Sequence, residues 1–171
     1  MNPSSPFSKH RFDAPWSKTL IFITVLSCGV AVGIVLLAGF IDPPKEDWVR
    51  WLVMGLAIVG LPLSALFGIR GYQLEGRQLL INRPLWNTAI PLDELRETTT
   101  DPDAMRGCIR LCGDGGLFSF TGWYRSKRLG TYRAFATDPA RSVVLTFPRR
   151  TIVVTPADPD AFVQALIARH A

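Results

Sequence analysis

The sequence VVLTFPRRTIVVTPADPDAFVQALI, residues 143–167, changes halfway from the two-residue period of strands to the period of a helix. Apolar residues alternate with their neighbours over residues 143–147, which predicts a strand that buries one face. Residues 151–155 predict a second strand, and Pro148-Arg149-Arg150 is typical of a turn between two strands. We therefore expect an antiparallel β-hairpin here.

A helix is predicted directly after this hairpin. Asp158 is a natural N-cap, Pro159 suits the first helical position, and Asp160 places negative charge near the positive end of the helix dipole. The apolar residues that follow share one face of the helix: Phe162, Val163, Leu166 and Ile167. Because a helix of about a dozen residues is marginal alone, we expect this face to pack against the strands.

Short apolar pieces separated by turn signals fill the sequence before the hairpin, from about residue 71. We expect strands at 72–74, 79–82, 88–92, 109–112, 117–120 and 131–137. A glycine turn at Glu75-Gly76-Arg77-Gln78 joins the first two, and a second turn is predicted at Gly113–Gly116. Together with the final hairpin, this pattern indicates a mainly-β domain of about seven antiparallel strands, capped by a C-terminal α-helix.

Several segments of this domain carry a resemblance to a known family. They are Tyr72–Glu75 with Leu79–Ile81, Ile90–Leu92, Gly113–Tyr124, Leu129–Asp138 and Ile152–Phe162. The sequence resembles the bacterial pleckstrin-homology (PH) domain family, which occurs in small membrane proteins with two N-terminal transmembrane helices. The resemblance covers about residues 70–170 and implies a PH-like barrel over residues 71–171, with the helix over one open end. It implies hardly any chemistry.

Two long apolar runs precede this domain, Thr19–Ile41 and Trp51–Ile69, and neither contains a charged residue. A helix of about 20 residues is needed to cross the hydrocarbon layer of a membrane, whereas apolar core helices are usually shorter. The sequence therefore predicts a transmembrane helical hairpin over residues 19–70, with a polar turn at 42–50. The alternative is a buried helix pair in a soluble protein, but 171 residues provide little structure to cover two such helices.

Positive charges near the two runs indicate an orientation. Three lysines or arginines lie in the N-terminal tail, residues 1–18, two lie in the turn, and three closely follow the second run. Lysine and arginine are enriched in cytoplasmic loops. We therefore expect a multi-pass protein of the bacterial inner membrane with both termini in the cytoplasm.

Small residues are spaced four apart within the predicted spans: Gly29 and Gly33 in the first, and Gly60, Ser64 and Gly68 in the second. Such spacing lets helix backbones approach closely. We expect these residues to mark either the contact between the two helices or a face for a homo- or hetero-oligomer. The spans contain no aspartate, glutamate, lysine, arginine or histidine, so they give no support to a function as a transporter or a channel.

Aromatic and basic residues follow one another after the glycine-rich segment. Seven residues are candidates for contact with anionic lipid headgroups or with a protein partner: Trp123, Tyr124, Arg125, Lys127, Arg128, Arg149 and Arg150. Each cation near an anionic membrane surface contributes about 1 kcal/mol to binding. The alternative is that the aromatic residues belong to the barrel core and that the cations lie in a solvated loop.

Residues that would support catalysis or metal binding are scarce. His10 and His170 have no nucleophile placed beside them in the sequence, and Cys108 and Cys112 lack the further ligands of a zinc site. The net charge of +5 is small and scattered, so we expect no nucleic acid partner. We expect no enzymatic activity, cofactor or metal. Two hypotheses follow: a membrane-anchored, non-catalytic binding module at the cytoplasmic face, or a structural subunit of a larger membrane protein complex.

Overall fold

The computed structural model describes residues 10–40 and 48–170. Within these ranges the chain forms three α-helices, α1 (Lys18–Phe40), α2 (Trp48–Ala65) and α3 (Pro159–His170). The strands are β1 (His10–Asp13), β2 (Gly71–Glu75), β3 (Gln78–Asn82), β4 (Asn87–Pro91), β5 (Glu97–Thr100), β6 (Ile109–Gly115), β7 (Phe120–Ser126), β8 (Gly130–Ala136), β9 (Val143–Thr146) and β10 (Thr151–Val154). These strands form two sheets that share an apolar core.

The first sheet has four antiparallel strands in the order β1-β2-β3-β4. β2 and β3 form the hairpin that the sequence predicts around Gly76. β1 comes from residues 10–13, which the sequence analysis assigns to an N-terminal tail, and it pairs with β2 at the edge of the sheet. The ring of Phe12 lies against that of Phe162 in α3, with 5.1 Å between the ring centroids. The N-terminal segment is therefore a structural part of the domain.

The second sheet has six strands in the order β5-β9-β10-β8-β7-β6. Its pairs are antiparallel except β8 and β10, which are parallel. A short 3-10 turn at Pro139–Arg141 connects β8 to β9, which lies two positions away in the sheet. β10 then occupies the position between them. The prediction of about seven antiparallel strands is therefore wrong in the number of strands and in this one pair.

The glycine-rich segment forms a strand where the sequence predicts a turn at Gly113–Gly116. β6 continues to Gly115 because Gly113 lies opposite Gly122 of β7, where a Cβ atom on either residue would overlap the backbone of the other strand. Both glycines have a positive φ, 113° and 146°, which glycine adopts without steric cost. The turn lies instead at residues 116–119, and the strand predicted at 117–120 begins only at Phe120.

The core between the sheets contains the largest buried side chains of the domain. Tyr72 and Leu79 from the first sheet meet Phe135 and Leu145 from the second, and Phe162 of α3 joins them. The Tyr72 hydroxyl donates to the Phe135 carbonyl at 2.6 Å, and burial raises the pKa of Tyr72 to about 12. The prediction of a mainly-β, PH-like domain with a C-terminal helix is confirmed at this level, as two sheets and α3.

The start of α3 has the predicted cap. The Asp158 carboxylate accepts the N–H of Ala161 at 2.9 Å. Phe162 and Leu166 are buried on the apolar face, whereas Ile167 is exposed. The helix therefore packs against the strands through a narrower face than the sequence predicts.

The two apolar helices differ in length. Lys18–Ala38 of α1 is 21 residues long with a mean hydropathy of 2.8, and only 11% of its most apolar stretch is buried. By length and composition, α1 is the one described helix that suits a membrane span. α2 has 18 residues, and its apolar part, Arg50–Ala65, is shorter than a usual span. The α2 helix ends at Ala65 and not at the predicted Ile69, which belongs to the domain core. Most of the predicted turn at 42–50 lies outside the described residues.

Candidate functional site

The domain contacts α1 through the turn between β6 and β7, residues 116–119. Thr24, in the second turn of α1, is buried there. Its hydroxyl donates to the Gly116 carbonyl at 3.3 Å and accepts the Phe118 N–H at 3.2 Å. Leu20, one helical turn earlier, is fully buried as well. The first turns of α1 are therefore packed against the domain, while most of the remaining helix is exposed.

The domain also contacts the end of α2. The Phe67 carbonyl, just beyond α2, accepts the Ser119 hydroxyl at 3.4 Å. It also accepts a guanidinium N–H of Arg83. The Phe67 ring packs edge-to-face on Trp86 of the β3–β4 turn, with 5.2 Å between the centroids and 80° between the planes. The domain is thus held at the beginning of α1 and at the end of α2.

A cleft of about 640 Å³ lies between the last turns of α2 and the domain. The α2 side contributes Gly60, Leu63, Ser64 and Phe67. The domain contributes Arg83, Trp86, Thr88, Gly113, Asp114, Leu117, Thr121, Gly122 and Arg133. This volume is in the range of sites that hold small molecules. The helix wall is largely apolar and the opposite wall carries two arginines, so the cleft is amphipathic.

Arg83 is only 8% exposed, a burial that is unusual for arginine. Its side chain donates to the Thr88 hydroxyl at 3.4 Å. Its guanidinium carbon lies 5.9 Å from the ring centroid of Trp86 and 5.8 Å from that of Phe135. Burial, followed by the charge of Arg133, lowers the pKa of Arg83 below its ordinary value. Arg83 is therefore a cation held in place by its contacts, and the positive charge of Arg133 is close enough to repel it.

That second cation, Arg133, is exposed on β8 and holds its guanidinium carbon 4.8 Å from the ring centroid of Phe135. Both arginines thus lie over the same aromatic ring. Neither Arg83 nor Arg133 forms an ion pair with any residue that the structure describes. Among the residues in the ranges 10–40 and 48–170, the two positive charges therefore have no directly paired carboxylate.

Asp114 is the acidic residue in the lining of the cleft. Its carboxylate accepts the N–H groups of Gly116 and Leu117 at 3.2 and 2.9 Å, and so holds the β6–β7 turn in shape. Burial raises the pKa of Asp114 above its ordinary value. With two arginines and one aspartate in its lining, the cleft carries one net positive charge when all three are ionised.

The two aromatic candidates, Trp123 and Tyr124, lie in strand β7. Trp123 is exposed and pairs across the sheet with Arg133, which places it beside the cleft. Tyr124 is buried in a second core with Tyr132. Its hydroxyl donates to the Asp114 carbonyl at 2.6 Å, and burial raises the pKa of Tyr124 to about 12. Of the two, only Trp123 is available to a ligand.

The basic candidates lie toward the other end of the second sheet. They are Arg125 on β7, Lys127 and Arg128 in the β7–β8 turn, and Arg149 and Arg150 in the β9–β10 turn. Because β8 and β10 are parallel neighbours, the two turns lie at the same end of the sheet. The length of β7 separates this end from the turn that contacts α1 by about 20 Å, at roughly 3.3 Å per residue. None of these cations is in the lining of the cleft. Arg125 lies two residues beyond Trp123 on β7, and the two turns lie three to four residues from the level of Arg133, about 10–13 Å at roughly 3.3 Å per residue.

The small residues predicted to pack the helices lie in three different environments. Gly29 and Gly33 lie on an open face of α1, with no atom within 4 Å of where a Cβ would be. Gly60 and Ser64 line the cleft, and Gly68 lies buried beyond the end of α2. A small apolar cavity of about 200 Å³ lies between the two helices and is lined by Ala31, Val32, Val35, Leu36, Ala57, Ile58 and Leu61. Gly29 and Gly33 are not in that lining, and Gly68 is not part of a helical row.

Within the described residues, no group of three or more histidine, cysteine, aspartate or glutamate side chains is placed to hold a metal ion. Sequence reasoning misses both arginines of the cleft, because nothing local marks either as buried or paired. A weak signal is present in Leu85-Trp86, since two large apolar residues are unusual in a turn between strands.

Residues 70–170 match the family described as bacterial PH domain. The match covers more than half of the chain, which therefore belongs to this family. No curated protein and no solved structure is found to match the chain. PH-like domains are generally non-catalytic, so membership of the family supports a binding module.

Proposed function

We propose that this protein is a membrane-anchored, non-catalytic binding module. In this proposal α1 and α2 form a transmembrane hairpin in the bacterial inner membrane, and the PH-like domain lies at the cytoplasmic face. The observation that carries the proposal is the contrast along α1, whose first turns pack on the domain while the rest exposes large apolar side chains. Leu26, Leu36 and Leu37, for example, are each more than half exposed. Soluble monomers rarely expose contiguous apolar patches larger than a few hundred Å².

The pairing of β1 with β2 supports two crossings. β1 precedes α1 and β2 follows α2, yet the two strands are hydrogen-bonded neighbours. Both strands therefore lie on the same side of any membrane, and a chain that crossed only once would separate them. If α1 crosses, the chain has to return through α2. The shortness of α2 is a mismatch that bilayers accommodate by local thinning at a modest cost.

The distribution of basic residues supports a cytoplasmic location for the domain. Arg11 and Lys18 lie before or at the start of α1, and Arg70 and Arg77 closely follow α2. All four lie on the side of the membrane that holds the domain, where the positive-inside rule expects them. In this orientation both termini lie in the cytoplasm.

We place the binding site in the cleft between α2 and the domain. The cleft joins the proposed membrane anchor to the PH-like domain, and Trp123 borders it. It contains two arginines that have no ion-pair partner in the part of the chain that the structure describes. The basic turns at Lys127-Arg128 and Arg149-Arg150 lie outside the lining of the cleft, about 10–13 Å along the sheet from the level of Arg133. We propose that they face the cytoplasm. Anionic lipid headgroups and a protein segment are the two ligand classes that fit a cationic, amphipathic cleft.

A second candidate function is supported by the open face of α1. Gly29 and Gly33 are exposed there and leave room for close approach of another helix. A second copy of this chain or a different membrane protein could pack on that face. The protein would then act as a structural subunit of a larger complex.

Anchoring is tested by extraction of native membranes with alkaline carbonate. A protein held by two spans stays in the membrane pellet and is released only by detergent. Release into the supernatant by carbonate would contradict the anchored arrangement.

The site is tested by photo-crosslinking in native membranes. A benzophenone amino acid is placed at Leu63 or Thr121 in the cleft, and at Lys127 or Arg149 in the distant turns as matched controls. We expect adducts, of lipid or of protein, from the two cleft positions. Adducts formed only at the distant turns would place the binding site elsewhere.

A further inference from the structure

We propose that the cleft binds a single phospholipid, with its phosphate between Arg83 and Arg133 and one acyl chain along α2. This inference rests on the proposed function, since it names the ligand of the same cleft. It depends on three observations: the depth of the cleft beside α2, the contacts and charges of its two arginines, and the polar groups in its walls.

The depth of the cleft favours a ligand that comes from the membrane. Its lining extends along α2 from Phe67 back to Gly60. Gly60 lies five residues before the end of α2, which is about 7 Å at roughly 1.5 Å per residue. If α2 spans the membrane, this part of the wall lies at the level of the lipid chains. A soluble ligand would leave the wall at Gly60 and Leu63 unfilled, whereas an acyl chain would cover it.

The two arginines favour a phosphate. Arg83 is fixed by the Phe67 carbonyl and by Thr88, and so presents a planar guanidinium that has little freedom to turn away. The guanidinium carbon of Arg133 lies 4.8 Å from the ring centroid of Phe135, and that of Arg83 lies 5.8 Å from the same centroid. Guanidinium groups bind phosphate oxygens by two parallel hydrogen bonds. An oxyanion between the two side chains would remove the repulsion between them.

The remaining polar groups of the cleft agree with a singly charged anion. Thr88 and Thr121 supply hydroxyl donors in the same lining. Asp114 opposes an anion, but two arginines against one aspartate still leave one positive charge. A phosphodiester carries one negative charge and therefore balances the cleft. The carboxylate of Asp114 is already occupied by two backbone N–H groups, which keeps it in place on the β6–β7 turn.

The arrangement also explains why the β3–β4 turn is apolar. Leu85 is 72% exposed next to Trp86, whose ring packs on Phe67 at the end of α2. An exposed leucine beside an aromatic residue at the end of a span is typical of the membrane interface. The turn would then lie at the headgroup level and form the rim through which the lipid enters the cleft.

Native mass spectrometry of the full-length chain in detergent tests this inference. Phosphatidylglycerol and diacylglycerol of the same chain length are added separately, and inorganic phosphate is added alone as a third probe. We expect one bound phosphatidylglycerol, no retained diacylglycerol, and no displacement of the phospholipid by millimolar phosphate. Equal retention of the two lipids would overturn the role of the phosphate. Displacement by inorganic phosphate would identify a free anion as the ligand and overturn the role of the acyl chain.

Arg133→Gln is the main variant, because Arg133 is exposed and its loss leaves the core intact. We expect it to weaken phosphatidylglycerol binding about 10- to 100-fold, as for loss of a hydrogen bond to a charged group. Arg83→Gln is expected to do the same, and Arg149→Gln in the distant turn is the matched control with no effect. Unchanged binding in Arg133→Gln would refute the assignment. If the photo-adducts at Leu63 and Thr121 are protein and not lipid, this inference fails while the binding cleft itself stands.

Discussion

Replacing Tyr72 by phenylalanine removes one hydroxyl from the middle of the domain core. That hydroxyl donates to the Phe135 carbonyl at 2.6 Å and accepts the Thr155 N–H at 3.2 Å. It therefore joins β2 of the first sheet to β8 and to the end of β10 in the second. Tyr72 has no exposed surface, so water cannot replace the hydroxyl.

The expected loss follows from these two contacts. A buried polar group that loses its hydrogen-bond partner costs about 1–3 kcal/mol, and the hydroxyl serves two such groups. Part of the cost is offset because phenylalanine is easier to bury than tyrosine. We expect the free energy of unfolding to fall by about 2–3 kcal/mol, which corresponds to a fall of roughly 5–10 °C in Tm for a chain of this size.

The assay is thermal unfolding of the detergent-purified full-length chain, with Tyr132→Phe as the matched control. The Tyr132 hydroxyl is buried and makes no regular hydrogen bond among the described residues, although the weakly hydrogen-bonding thiol of Cys108 lies beside it. Its removal should change Tm by less than about 2 °C, because a thiol is a weak partner and a poorly paired buried hydroxyl is unfavourable. Equal falls in Tm for the two variants would show that the Tyr72 contacts do not stabilise the domain, and the reasoning would be refuted.

Three further predictions concern the helix junction, the N-terminal strand and alkaline pH. Thr24→Val should speed amide hydrogen exchange in the β6–β7 turn at least several-fold, since the valine cannot bond to it; unchanged exchange would contradict the docking of α1. Phe12→Ala should lower the free energy of unfolding by about 1–2 kcal/mol in chemical denaturation, as for partial loss of an aromatic contact, here with Phe162; no loss would mean that β1 is dispensable. Because burial raises the pKa of Tyr72 and Tyr124 from 10.0 to about 12, the unfolded state loses these protons first. Tm should therefore fall as pH rises from about 10 towards 12, and less steeply in the double phenylalanine variant; parallel curves would contradict the role of burial.

Local patterns in the sequence were sufficient for the elements whose stabilising contacts are also local. The hairpin around Gly76 and the cap of α3 at Asp158 both depend on residues within a few positions of each other. The alternation in residues 143–147 identifies β9 for the same reason. The C-terminal helix and the mainly-β domain were predicted from such patterns and both are present, and the family resemblance added the PH-like arrangement.

Strands that depend on distant partners were missed. β1 has a single apolar residue, Phe12, and β5 is Glu97 followed by three threonines, so neither shows the alternation that predicts a strand. Each is an edge strand that is stabilised by hydrogen bonds to a neighbour. Gly113 and Gly115 of β6 were assigned to a turn, because only the pairing of Gly113 with Gly122 of β7 reveals why glycine is needed there.

The cleft could not be predicted from the sequence for a similar reason. Arg83 and Arg133 are fifty positions apart, and they meet only because the end of the first sheet and the middle of β8 face the same end of α2. The sequence shows clusters of charge, such as Arg149-Arg150, more readily than it shows two single arginines. The clustered cations lie in turns, whereas the two single arginines line a cleft.

The domain is proposed to lie against the membrane with the cleft open to lipid. This placement is tested in proteoliposomes with an environment-sensitive fluorophore attached to a single cysteine, Leu85→Cys. The background variant has serine in place of its native cysteines, Cys28, Cys108 and Cys112. We expect quenching by a nitroxide attached to the lipid headgroup or upper chain, and protection from aqueous iodide. The same label at Arg149→Cys should show the opposite pattern. If the label at position 85 is quenched by iodide and not by the lipid nitroxide, the β3–β4 turn faces water and the account is contradicted.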